Sequence, residues 1–93
     1  MPFVLIVHQV DDYTAWKAVF DGAADIRKAA GEIDFKVLVS DTDPNRVVHF
    51  SRWRSLPEAR QFFESADLVE IRRKAGVHAP DFTYLNELDF GVL

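Results

Sequence analysis

Two histidines, His8 and His49, stand inside otherwise apolar runs, Phe3–Val10 and Val47–Trp53. Histidine titrates close to neutral pH. A pair of imidazoles in an apolar setting can therefore take a proton from an acidic phenol or carbon acid and hydrogen-bond the resulting anion. Trp53 offers a flat face on which an aromatic ring can stack. Ser51, Leu38 and Tyr84 are the other candidates for lining such a pocket. The alternative is plain packing: paired histidines at an interface often do no more than fill space and hydrogen-bond, and Trp53 can serve as a core anchor. A metal site built from His8, His49 and a carboxylate lacks tight ligand spacing. His78, just before Pro80, reads as a solvated loop residue, with a pocket lid as the other option. Arg46, Arg52, Arg54 and Arg60 crowd one region. They suit either an acidic substrate or a salt-bridged surface, and nearby acidic residues favour the surface.

The elements that must position these residues can be read from periodicity. Residues 3–10, 33–40, 46–53 and 82–90 read as strands. Tyr13, Trp16, Val19, Phe20, Ala23, Ala24 and Ile26 form one apolar stripe on a helix that starts at Asp11 or Asp12 and ends at Gly31. Tyr13 and Trp16 belong to its core side, and Gly22 marks close packing or an irregularity. Asp41–Asn45 is a turn that makes the middle strands a hairpin. Ser55, Pro57 and Glu58 form a helix start with a capping box, and a second start signal lies at Asp67. Residues 56–75 thus read as two short helices or one bent one, closed by Gly76.

The order β-α-β-β-α-β indicates an α+β, ferredoxin-like domain spanning residues 1–93. Its four-stranded antiparallel sheet has order 4-1-3-2, with the helices on one face. Closing the hairpin at Asp41 and Arg46 pairs the middle strands with positions summing to 87, and centring strand one on strand three sets His8 opposite His49. Leu5, Val7, Phe35, Val37, Val39, Val48 and Phe50 then face the helices. Val4, Ile6, His8, Val10, Lys36, Leu38, Ser40, Val47, His49, Ser51 and Trp53 face away. The last strand adds either Tyr84 and Asn86 or Thr83 and Leu85 to that second face. The runs Phe3–Val7, Phe35–Val39 and Val47–Phe50 lack the alternation of a half-solvated strand. A second copy of the chain is the expected cover for the bare side.

Composition narrows the function classes. Hydrophobic residues make up 48% of 93, enough for a single core. With 11 Lys and Arg against 15 Asp and Glu, the net charge of −4 argues against nucleic-acid or anionic-membrane partners. There is no cysteine, which removes disulfides, thiolate ligands and thiol nucleophiles. The first apolar run is too short for a membrane span and lacks the basic flank of a signal peptide, so a cytoplasmic location is expected.

The stretch Val47-Val48-His49-Phe50-Ser51-Arg52-Trp53-Arg54-Ser55-Leu56, followed by Ala59, Phe62, Phe63, Ser65 and Leu68, resembles the dimeric α/β-barrel superfamily, most closely its antibiotic biosynthesis monooxygenase-like group. The resemblance covers nearly the whole chain. It implies a homodimer with sheets packed face to face, and a pocket between each sheet and its helices or at the dimer edge. It also implies cofactor-free oxidation of a small aromatic or apolar molecule; histidine chemistry, not the resemblance, makes His8 and His49 the candidate base and donor. The haem-cleaving branch carries a Trp and a His where this chain has Phe62 and Arg72, so haem cleavage of that kind is not implied. The competing expectation is a dimeric small-molecule-binding or accessory protein without catalysis. An RNA-recognition domain shares the topology, but strand three lacks the basic-glycine-aromatic pattern that stacks bases.

Overall fold

A computed structural model describes residues 1–93. Strand β1 (Pro2–Val10) is followed by helices α1 (Tyr13–Gly22) and α2 (Ala24–Ala30), then strands β2 (Glu32–Val39) and β3 (Arg46–Trp53). Helices α3 (Leu56–Phe63) and α4 (Ala66–Lys74) lead into strand β4 (Val77–Asn86). The sheet is antiparallel with order β2-β3-β1-β4, the expected ferredoxin-like topology.

Local chemistry sets the helix ends. The Asp12 carboxylate accepts from the Ala15 backbone N–H at 3.0 Å, and the Ser55 hydroxyl accepts from that of Glu58 at 3.2 Å. The expected single first helix is two segments, because the chain breaks at Ala23 after Gly22. Gly31, at φ +127°, ends α2. The second arm is also two helices, and α4 is capped by Ser65 while Asp67 lies in its first turn.

The expected assignment of the sheet faces is reversed. Val4, Ile6, His8 and Val10 on β1, and Val47, His49, Ser51 and Trp53 on β3, are all buried beneath the helices. Leu5, Val7, Val48 and Phe50 lie on the open face. The grouping of β1 with β3 was right in parity but not in register, since Ile6 faces His49 and His8 faces Val47. On β2 the grouping itself changes. Phe35 pairs Ser51, Val37 pairs His49 and Val39 pairs Val47, which sends Lys36 and Leu38 to the open face. The cause is the hairpin closure: the Ser40 N–H bonds the Arg46 carbonyl, so pairing starts from Ser40 rather than Asp41 and every pair is offset by one residue. A further one-residue register shift between Glu32 and Asp34 brings Glu32 to the side of Phe35 and Val37 despite their mixed spacing.

The last strand begins at Val77 and stops at Asn86, not 82–90 as expected. Pro80 is tolerated because β4 is an edge strand and the pairing with β1 slips there, with Ala79 at φ +46°. Tyr84 lies opposite Val4, which puts it on the helix-covered side. The core has two lobes. One gathers Val4, Ile6, Trp53, Ala59, Phe63 and Leu68, and the other Val10, Trp16, Phe20, Val47 and Ala75.

Candidate functional site

Between the two helical arms, above β1 and β3, lies an apolar cavity of about 70 Å³. Ile6, His8 and His49 form its floor, Trp16 and Phe20 one wall, and Phe63, Leu68, Ile71, Arg72 and Ala75 the other. His8 and His49 sit diagonally on neighbouring strands, so both reach one space. The two candidate catalytic residues are therefore brought together, though under the helices of their own chain rather than on the open sheet face.

His49 is the inner end of a buried chain of polar groups. Its Nε2 lies 2.8 Å from Glu32 Oε2, and Glu32 Oε1 accepts from Arg27 Nε at 2.7 Å. All three side chains are buried. Arg27 Nη1 also donates to the Phe20 carbonyl, and its guanidinium lies 3.7 Å above the Phe20 ring. Burial pushes the Glu32 carboxyl up, but the hydrogen bonds and charges of His49 and Arg27 outweigh it and hold the group below its ordinary range. An ionised carboxylate only accepts hydrogen bonds, so Nε2 carries the proton of a neutral His49 ring and Nδ1 carries the lone pair. Glu32 thus fixes the orientation and the tautomer of the ring.

His8 is the opposite case. Its Nε2 is buried with no hydrogen-bond partner. Burial, reinforced by His49 and then Arg72, lowers its pKa from 6.5 to about 4. At neutral pH it is an uncharged ring 5.3 Å from Trp16. Arg72, half-buried on the opposite arm, donates to the Phe63 carbonyl at 3.1 Å and stands 5.0 Å from the Phe82 ring. The cavity therefore meets two imidazoles in different states and one guanidinium.

The other candidates lie elsewhere. The Trp53 indole N–H donates to the Ser51 hydroxyl at 2.8 Å; both side chains are wholly buried and neither lines the cavity. Their polar atoms satisfy each other, which lets that face be covered by helices. Leu38 is exposed on the open face. Tyr84 is half-buried with the Arg60 guanidinium 4.0 Å from its ring, and burial, then the charge of Glu64, raises its pKa. His78 belongs to β4, exposed and 2.7 Å from Asp11, rather than to a loop. Arg52 pairs with Asp34 and Arg54 with Glu58, which makes them surface ion pairs. No cluster of three or more His, Cys, Asp or Glu is placed to hold a metal ion. No helix is long and apolar enough to cross a membrane.

Sequence reasoning missed Arg27 and Glu32. A signal existed: Trp16, Phe20, Ala23 and Arg27 share one helical stripe, and a cation on an apolar stripe must find a buried partner.

Comparison with known proteins places the fold. The oxygenase SnoaB from Streptomyces nogalater, described as cofactor-independent, superposes with a TM-score of 0.78 at 11% identity, covering 96% of this chain and 94% of that one. Rv0793 from Mycobacterium tuberculosis gives 0.69 at 20% identity, with 99% and 100% covered. A monooxygenase from the ActVA-Orf6 gene of Streptomyces coelicolor, solved with the ligand nanaomycin D, gives 0.67 at 16% identity, with 99% and 91% covered. At these identities the likeness is one of fold. No curated protein matches the chain in sequence. The family described as antibiotic biosynthesis monooxygenase matches residues 9–74, from the end of β1 through α4. The match takes in His49, Glu32 and both helical arms that enclose the cavity, and on this basis the chain belongs to the antibiotic biosynthesis monooxygenase family.

Proposed function

We propose that the protein is a homodimeric, cofactor-independent oxygenase of a small phenolic molecule, with His49 as the base. The observation that carries this reading is the buried Arg27–Glu32–His49 chain ending on an apolar cavity. His49 Nδ1 takes the phenol proton, and Glu32 stabilises the imidazolium that forms. The neutral His8 ring hydrogen-bonds the substrate oxygen, which gives its unpartnered nitrogen a role. The electron-rich phenolate reduces dioxygen and a C–O bond forms at a ring carbon bearing hydrogen. The O–O bond of the resulting hydroperoxide then breaks with loss of water. Phenol and dioxygen become quinone and water, with no outside reductant. A dry, apolar enclosure favours the step because water would re-solvate the anion.

The cavity of about 70 Å³ is far below the roughly 300–1,000 Å³ of small-molecule sites. It has room for dioxygen, whereas an aromatic ring needs the helical arms to part. The apolar lining of the cavity equally suits the second reading, a dimeric small-molecule-binding protein without turnover. Oxygen uptake with a panel of polycyclic phenols separates the two. Catalysis predicts measurable uptake that His49→Ala lowers by roughly 10²–10⁴-fold while the dimer persists. A ligand-induced rise in melting temperature without any oxygen uptake would establish the binding reading instead.

A further inference from the structure

Apart from His8, Arg27, His49 and Arg72, every residue on the cavity wall is apolar. All four polar residues are bases, and no carboxylate reaches the cavity, although the chain as a whole carries a net charge of −4. The two guanidiniums are in different states. Arg27 is neutralised by Glu32 at 2.7 Å. Arg72, half-buried on α4, has no carboxylate partner in the chain. One of its five N–H groups meets the Phe63 carbonyl, and its guanidinium lies 5.0 Å from the centre of the Phe82 ring. Burial lowers its pKa, and only the neighbouring Tyr84 acts against that.

Charge conservation turns this arrangement into a statement about the ligand. Arg27 and Glu32 cancel, His8 is neutral, and His49 must enter uncharged to act as a base. The site therefore carries one positive charge, that of Arg72. A phenol alone cannot balance it, because the proton it gives up stays on His49. A cation in an apolar wall costs free energy unless an anion meets it. Arg72 is also close enough to His8 for its charge to help keep that ring neutral. In a space of about 70 Å³, the groups that meet Arg72 and His8 must be neighbours on one ligand.

We infer that the cavity takes a phenol that also carries a carboxylate beside the hydroxyl group, and that Arg72 binds this carboxylate. The hydroxyl meets His8 and His49, and the two carboxylate oxygens meet the planar fork of Arg72. A phenol without the acid leaves Arg72 uncompensated while its ring displaces water from the guanidinium, so the site selects against it.

The inference rests on the phenolic reading above, and the test separates the two. Isothermal titration at neutral pH compares 1-hydroxy-2-naphthoate with 1-naphthol, which lacks only the carboxylate. The wild type should bind the acid at least about tenfold more tightly, the scale of one charge-assisted hydrogen bond. Arg72→Met should abolish that preference while 1-naphthol still binds, and Arg72→Lys should retain part of it. Loss of helix packing alone lowers the affinity for both probes equally, so an unchanged ratio in Arg72→Met overturns the inference. Equal wild-type affinity for the two probes, or binding of neither at millimolar concentration, overturns it as well. Oxygen uptake is followed with the same pair. Preference for the acid without uptake removes the oxygenase reading and leaves the carboxylate site standing. Equal uptake with both probes, in the wild type and in Arg72→Met, removes the carboxylate site and leaves the oxygenase.

Discussion

Folding moves His8 from water into an apolar layer, where the charged ring has lost its hydration and faces His49 and Arg72. Its folded pKa of about 4 lies below the unfolded value of 6.5, so the unfolded chain binds the extra proton between those limits. The His8 contribution is complete above about pH 6.5 and is lost as the pH falls towards 4, at a cost of up to about 3 kcal/mol. Urea midpoints measured from pH 7 to pH 4.5 should fall steeply for the wild type, and His8→Leu should flatten that limb. Glu32 acts in a lower window, since its depressed carboxyl loses its contribution only below its ordinary pKa of 4.5. Glu32→Gln tests the other half of the site. It leaves Arg27 with an uncompensated buried charge, so a loss of about 3 kcal/mol in chemical denaturation is expected. His8 and His49 stood out in the sequence because a polar residue inside an apolar run is visible in one dimension. Glu32 did not, because its place beside His49 depends on a register shift that no residue spacing announces.

At the scale of elements, caps and turn residues made the helix starts legible, and Asp12 and Ser55 both act where their types suggest. The break inside the first arm was harder to place. Gly22 ends α1 without a positive φ, and a methyl group added there would meet nothing within 4 Å. Gly22→Ala should therefore stabilise the protein by roughly 0.5–1 kcal/mol, read as a raised denaturation midpoint. Gly76 shows the contrast: at φ +73°, an added Cβ would come within 2.9 Å of Asp11 Oδ2. The start of β4 was misjudged because Pro80 reads as a break, although an edge strand tolerates proline where the ladder slips. Its end was misjudged for another reason. Residues 87–90 carry a strand pattern that their own sheet does not use.

For the molecule as a whole, the sequence correctly implied that four strands and two helical arms leave one sheet face bare. It did not reveal which face. An apolar set and a mixed set each look suitable for helices until one knows that Ser51 satisfies Trp53 and Glu32 satisfies His49. Those internal bonds remove the penalty for covering the mixed set and leave Phe3 and Phe50, stacked at 5.2 Å, on the outside with Leu5, Val7 and Val48. If that face meets a twin, Phe50→Glu should shift the chain to monomer in sedimentation while leaving the buried layer folded. The bare backbone of β2 carries a further consequence. Until its margin is occupied, a newly made protomer accepts any extended peptide that comes alongside, including one from a misfolded sister chain. If pairing with a twin covers that margin, prompt assembly protects against runaway polymerisation, and slow assembly leaves less of the product in solution.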